Sequence, residues 1–271
     1  MVCHSRFLKG LLRYTAKQMV RQDMATCSKK DDETLDTLSC GGIAVLQKKN
    51  GYRYSLDAYL LTAFVSERPG TEILDIGSGS GVIALLLASV KGMHVTGVEI
   101  QEEMAEMSRR SVEMAGLADR IHIVHGDIKD FSGKSFDAIV TNPPYRPVSA
   151  GRINPDTNKA VSRHELLIDL DSLMKKAYEL LKPSGRFYIV YPAWRLPDLF
   201  FSMRSSGIEP KTMMSIHSRT DLPAEICLIS GMKDAGRELS IVRPFFVYSD
   251  KGTYTGQMQD VFAHLALPKS H

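Results

Sequence analysis

Asn142-Pro143-Pro144-Tyr145 closes an apolar run that begins at Asp137, and it gathers the groups needed to make an amino nitrogen reactive. Two consecutive prolines forbid helix and cannot donate to a sheet ladder, so the chain stays extended with its carbonyls free as acceptors. The lone pair of a planar NH2 is delocalised, which makes the nitrogen a poor nucleophile. Accepting both N–H bonds, through the Asn142 side-chain oxygen and the Pro143 carbonyl, favours a pyramidal nitrogen with its lone pair turned outward. Tyr145 offers an aromatic face to a planar substrate, worth roughly 1–3 kcal/mol by stacking. Catalytic expectation falls on Asn142, Pro143, Pro144 and Tyr145, and the alternative is a buried structural turn.

A second constellation fixes the other reactant. Glu72-Ile-Leu-Asp-Ile-Gly-Ser-Gly-Ser-Gly81 reads as a strand running into a turn that opens a helix. Gly77, Gly79 and Gly81 remove side chains so that backbone can lie against a ligand. The spacing is GxGxG, not the GxGxxG of a dinucleotide fold, where a helix N-terminus faces pyrophosphate. Asp75 ends the strand; it repels a diphosphate but suits the ammonium of a methionine-like group. Glu99, at the end of the next strand, can accept hydrogen bonds from both hydroxyls of a ribose. Asp127 follows the third strand and is placed for the amino group of an adenine, with Ile128 against the ring face. Taken singly, each acid also fits a solvent-facing strand end. Together they spell amino acid, ribose and adenine, the parts of S-adenosylmethionine. The chemistry expected is methyl transfer to an amino nitrogen, leaving S-adenosylhomocysteine. No strong general base is needed, because the proton becomes acidic once the nitrogen is cationic.

The frame for these residues is a doubly wound α/β sheet of seven mostly parallel strands, since short apolar runs alternate with helical patterns from Thr71 onward. Strands are expected at Glu72–Ile76, His94–Glu99, Ile121–His125, Phe136–Thr141, Arg186–Tyr191, Lys211–His217 and Glu225–Ser230. Helices are expected at Gly81–Val90, Gln101–Ala115, Glu165–Leu181 and Trp194–Ser206, with Trp194 in the core or at its rim. Pro183-Ser-Gly185 marks a turn before the fifth strand. Residues 71–271 form one domain, whose tail carries a strand-like run at Ile241–Tyr248 and packs on the N-terminal lobe or the sheet edge. That small lobe, 38–70, has short strands at Ile43–Gln47 and Tyr52–Tyr54 with a turn signal at Lys48–Gly51 between them, then a helix over Asp57–Val65 capped by Ser55. Residues 1–37 look least like core: a basic arm, a frayed extension, or an upstream start with Met24 as the working one.

Composition narrows the classes. The 271 residues are 44% hydrophobic and 24% charged, ordinary for a globular domain. The net charge of +3 is too mild to diagnose a nucleic-acid binder. It is unevenly spread: ten acids against five bases over Glu72–Asp130, and nine bases against five acids over Asn142–Arg195. Solvated faces explain this as readily as an acidic half for a cofactor and a basic half for a polyanion. The four cysteines show no metal or disulfide spacing, and no apolar run is long enough to span a bilayer, so a metal-free cytoplasmic protein is expected.

Four pieces carry a family likeness: Gly51-Tyr-Arg-Tyr-Ser-Leu-Asp57, Leu74-Asp-Ile-Gly-Ser-Gly-Ser-Gly81, Asn142-Pro-Pro-Tyr145 and Arg163-His-Glu165. Gly252-Thr-Tyr-Thr255 adds to them. Over roughly residues 38–262 the chain resembles class I S-adenosylmethionine-dependent methyltransferases of the amino-methylating type, which have a Rossmann-like sheet. Within them it looks most like the bacterial valine-tRNA adenine-N6 methyltransferases, which modify the adenine just 3′ of the anticodon. The resemblance implies a tRNA partner and a cofactor set widened to Asp57, Ser78, Ile100 and Asn142.

The turn-rich, basic segment after Tyr145 is expected to close over the target base and touch phosphates through Arg146, Arg152, Lys159, Arg163 and His164. Arg163-His-Glu165 also fits the first turn of the next helix. Other activities stay open. A glutamine amide in a release factor presents the same planar NH2, although those enzymes carry a larger helical N-terminal domain. Guanine-N2 methylation of ribosomal RNA commonly uses a duplicated domain, absent here. A non-catalytic RNA-binding relic would show damage in the glycine turn or at Asn142-Pro-Pro-Tyr145, and neither is damaged. A metal-dependent O-methyltransferase needs an acid and asparagine cluster that the sequence does not show.

Overall fold

The computed structural model describes residues 29–50, 54–144 and 169–268. A hairpin, β1 (Glu33–Thr37) and β2 (Ala44–Lys48), precedes helix α1 (Leu56–Phe64). The chain then alternates: β3 (Glu72–Ile76), α2 (Val82–Lys91), β4 (His94–Glu99), α3 (Glu102–Met114), β5 (Ile121–His125) and β6 (Phe136–Thr141). After the segment outside the described residues come α4 (Leu170–Leu180), β7 (Leu181–Pro192), α5 (Leu196–Ser205), β8 (Ile208–His217) and β9 (Ala224–Lys233). Two short strands, β10 (Ser240–Ile241) and β11 (Phe245–Phe246), and helix α6 (Gly256–His264) complete it.

The main sheet runs β10-β8-β9-β7-β6-β3-β4-β5, with β11 also on β8. Strands β3 to β7 are parallel to one another, and β9 lies antiparallel between β7 and β8. Strand order reverses at β3, with β4 on one side and β6 on the other. In an open α/β sheet that reversal opens a crevice at the carboxyl ends of the strands. Both faces are covered, so β3, β4 and β6 are buried along most of their length, while β5 at the edge alternates. Ile73, Val95 and Val140 face a core shared with α1, α2 and α6. Leu74, Val98 and Ile139 face the opposite core, under α4 and α5.

All seven expected main strands are present, four of them with the expected limits. β7 starts earlier than expected, because the Pro183-Ser-Gly185 turn is absorbed as an irregularity inside the strand, with Ser184 at φ 58 and a register shift against β6. α4 starts at Leu170, where Asp169 Oδ1 accepts the Ser172 N–H at 3.0 Å; Glu165–Ile168 lie outside the described residues. The tail reaches both expected partners. β10 and β11 pair with the sheet edge at β8, and Phe262 of α6 meets Tyr59 of α1 edge-on at 5.3 Å.

The N-terminal hairpin differs. β2 pairs with β1, Leu35 opposite Leu46, a strand the sequence did not suggest. Tyr54 lies outside any strand, and Tyr52 and Arg53 lie outside the described residues. The cause is an inverted polarity in β1: Glu33 is buried while Leu35 is 43% exposed. Glu33 is held by Arg110 of α3, Oε1 accepting from Nη2 at 2.5 Å and Oε2 from Nη1 at 3.0 Å. The Leu46 N–H donates to Ser111 Oγ at 3.0 Å, and Leu46 packs with Met104 and Met107. The hairpin is therefore fastened to α3. No helix among the described residues is long and apolar enough to cross a membrane.

Candidate active site

The glycine turn joins β3 to α2 and is pinned to the end of β4. The N–H groups of Gly77 and Ser78 both donate to the Val98 carbonyl, at 2.9 and 3.2 Å. Gly81 caps α2 at φ 80, and a Cβ there would collide with Ser108 Oγ of α3, so backbone and space both demand glycine. The other two glycines face open ground. A Cβ on Gly77 would meet nothing within 4 Å, and one on Gly79 only Met104 Cε at 3.9 Å.

Beneath the turn, Asp75 is fully buried, and neither of its carboxylate oxygens has a hydrogen-bond partner among the described residues. Burial, and secondly the charge of Glu99, push its pKa up to about 8. Glu99 is buried as well. Its Oε2 accepts the Gly79 N–H at 2.7 Å and its Oε1 the Gln101 N–H at 2.9 Å. Burial raises its carboxyl, and these backbone donors pull it part of the way back. The Gly126 N–H donates to the Glu99 carbonyl at 2.9 Å, which draws the end of β5 to the end of β4. Asp127 stands there half-buried, its Oδ1 accepting the Lys129 N–H at 2.9 Å.

Asn142 leaves β6 at the same edge. Thr141 is opposite Ile76 in the ladder, and its Oγ1 donates to the Ile76 carbonyl at 3.0 Å. Asn142 and Pro143 are half-buried beside the glycine turn, and Pro144 is exposed.

Residues 67–238, more than half of the chain, match the methyltransferase domain family. The chain belongs to that family. A curated relative from Porphyromonas gingivalis is 40% identical over 158 residues, covering 54% of this chain and 61% of its own length. Another, from Pedobacter heparinus, is 31% identical over 205 residues, 75% of this chain and 86% of its own. Both bear the name tRNA1(Val) (adenine(37)-N6)-methyltransferase. The match thus spans about three-fifths of the first relative. In fold, the chain is similar to a predicted O-methyltransferase of Agrobacterium tumefaciens, with TM-score 0.64 and 19% identity over 78% of this chain and 98% of that one. A methyltransferase of Pyrococcus furiosus gives TM-score 0.55 and 19% identity over 72% and 91%.

The chain brings Gly77, Ser78, Gly79, Gly81, Glu99, Asp127 and Asn142 to the carboxyl edge of the sheet, with Asp75 enclosed beneath the glycine turn. Ile128 is packed with Phe131 and Phe136, and Ile100 is 37% exposed at the end of β4. Asp57 sits in the first turn of α1, its carboxyl raised by burial and, more weakly, by the charge of Glu225. Tyr145, Arg146, Arg152, Lys159, Arg163 and His164 lie outside the described residues.

One residue of the methyltransferase escaped the sequence reasoning. Buried Gln47 donates from Nε2 to Ser80 Oγ in the glycine turn at 2.6 Å and to the Leu46 carbonyl at 2.9 Å. Its Oε1 accepts the Tyr54 N–H at 3.2 Å. The available signal was an uncharged polar side chain inside the apolar run Ile43-Ala-Val-Leu-Gln47. Among the described residues, no group of three or more His, Cys, Asp or Glu could hold a metal ion.

Proposed function

We propose that this methyltransferase modifies the exocyclic N6 amine of an adenine in tRNA, next to the anticodon of valine tRNA, using S-adenosylmethionine. The observation that carries the reading is the adjacency fixed by Thr141 and Ile76: Asn142-Pro143 emerges directly beside the glycine turn. The curated relatives bearing the tRNA name support the choice of substrate.

The residues present fit the cofactor. Open backbone at Gly77 and Gly79 leaves room for a ligand that lies flat on the turn. Glu99 has lone pairs beyond the two that hold Gly79 and Gln101, and these accept ribose hydroxyls. Asp127 and Ile100 stand at the next strand ends for the adenine. Asp75 lies too deep for direct contact and supplies a buried acidic group under the cationic end.

S-adenosylmethionine supplies an electrophilic methyl carried on a sulfonium. The side-chain oxygen of Asn142 and the carbonyl of Pro143 accept the two N–H bonds of the target amine. They hold the nitrogen pyramidal with its lone pair toward the methyl. The methyl would pass to that nitrogen with the sulfonium's bonding pair left on sulfur, and the alkylated nitrogen would lose its extra proton to water. The target adenine has to leave its stack to reach Asn142.

The test is methyl transfer from labelled cofactor to unmodified total tRNA, with purified release factor in parallel, followed by nucleoside analysis. N6-methyladenosine in valine tRNA is the expected result. Label in the protein alone would keep the amino-group chemistry and overturn the RNA substrate.

A further inference from the structure

β7 leaves the sheet beside β6. The two are parallel with Ile189 opposite Thr141, so Asn142 and Val190 leave that last pair toward the same carboxyl edge of the sheet. Tyr191 and Pro192 stay paired to Cys227 and Ile226 of β9, and the chain then folds through one 3-10 turn, Ala193–Arg195. That turn sets Trp194, the only tryptophan of the chain, at the carboxyl edge with 67% of its surface exposed.

Trp194 is braced rather than loose. The Arg195 guanidinium lies 5.8 Å from the Trp194 ring and 5.4 Å from the Tyr191 ring, within cation–π range of both. Its Nε donates to Asp198 Oδ2 at 3.2 Å. A large ring with few rotatable bonds, fixed from behind and open in front, loses little freedom when a flat partner lands on it. Phe201 is also bare, at 72% exposed, but it sits seven residues further along α5. At about 1.5 Å per residue that is roughly 10 Å away, back from the edge.

We infer that Trp194, held by Arg195, is a stacking platform for a nucleobase that neighbours the base entering the Asn142 site. The inference rests on the RNA reading above. A base taken out of its stack leaves the flanking bases with bare faces, and an aromatic side chain at the mouth of the site replaces the lost neighbour. Beside the ring, the Arg195 charge is matched by Asp198, with Nε and Oδ2 3.2 Å apart. Recognition here is by stacking.

Because Trp194 is the only tryptophan, the protein's indole emission reports on this ring alone. Unmodified tRNA titrated into the full chain is expected to quench that emission saturably and to shield it from acrylamide. Trp194→Ala is expected to raise KM for tRNA roughly 5- to 100-fold, the range set by one stacking contact, with kcat and cofactor affinity unchanged. Trp194→Phe should recover most of that loss, and Phe201→Ala should leave KM alone. RNA that is bound and methylated while the emission and the Trp194→Ala KM stay unchanged would overturn the platform. So would an indole already shielded from acrylamide in the free protein. Label entering only the release factor would remove the RNA reading and the platform with it, and the assay in the preceding subsection tells that failure apart from the others.

Discussion

Thr141 donates its hydroxyl hydrogen to the carbonyl of Ile76 across the junction of β6 and β3, at 3.0 Å in a fully buried setting. Ile76 is the last residue before the glycine turn, and Thr141 the last before Asn142-Pro143-Pro144. One bond therefore sets the offset between the two halves of the crevice, where backbone ladder bonds are running out.

Thr141→Val keeps the shape but leaves the Ile76 carbonyl without that donor. The expected loss is about 1–3 kcal/mol of stability, read as a lower melting temperature, together with a reduced kcat. Thr141→Ser should restore both. A Thr141→Val variant with parental kcat would show that the offset does not need this bond.

Burial, and secondly the charge of Glu99, push the Asp75 carboxyl from its ordinary 3.8 up to about 8 in the free protein. An acid raised on folding is protonated in the native state and ionised in the unfolded chain over that interval. Native stability in the free protein is therefore expected to fall as pH climbs from about 4 to about 8, and to level off above. Asp75→Asn should flatten that slope. A cationic ligand above the turn favours the carboxylate, so binding of S-adenosylmethionine near pH 7 should release a proton. Calorimetry in buffers of different ionisation enthalpy measures this directly, and proton uptake would contradict it.

Glu99 does two jobs with one carboxylate, holding the Gly79 and Gln101 N–H groups and offering its remaining lone pairs to a ribose. Glu99→Gln preserves volume but converts an oxygen acceptor into a donor. Cofactor affinity should fall roughly 10- to 100-fold, the range for losing a hydrogen bond to a charged group. Isothermal titration would read it, and unchanged affinity would remove Glu99 from the cofactor site.

Arg110→Ala takes the guanidinium from the buried Glu33 carboxylate, whose Oε2 keeps the Lys30 N–H at 2.9 Å. Breaking a buried pair from one side typically costs about 3–5 kcal/mol, so the variant should melt well below the parent. The Arg110 hydrogen bond, ahead of smaller contributions, keeps the Glu33 carboxyl below its usual range. The associated stability is present above about pH 4.5 and is lost as pH falls through the depressed value. The gap between parent and Arg110→Ala should narrow in acid. A gap that holds constant down to pH 3 would argue against this pair.

Strands β3, β4 and β6 were legible in the sequence because they are buried along most of their length between glycine and helix signals, and β5 was legible from its alternation. The glycine turn and Asn142-Pro143-Pro144 were legible because their backbone demands are peculiar to those residue types. Side-chain depth was not. Asp75 in β3 and Ile128 after β5 are both buried, a depth set by the neighbours and not by the residues themselves. β1 was illegible for a related reason: its buried residue is charged and its leucine faces solvent, so the alternation points the wrong way until Arg110 is known to be its partner. Trp194, read as core or rim, stands in solvent because the 3-10 turn lifts it off the sheet edge.

Gln47 has a wider consequence. Its amide reaches from the hairpin to the glycine turn and to the chain entering α1, inside a region closed to water. Three segments distant in sequence thereby share one cooperative unit, and none can open without exposing a polar group of another. Amide hydrogens in β2, the glycine turn and the start of α1 should exchange at one common rate. A ligand that slows one should slow all three, so the hairpin registers occupancy of a crevice it does not line.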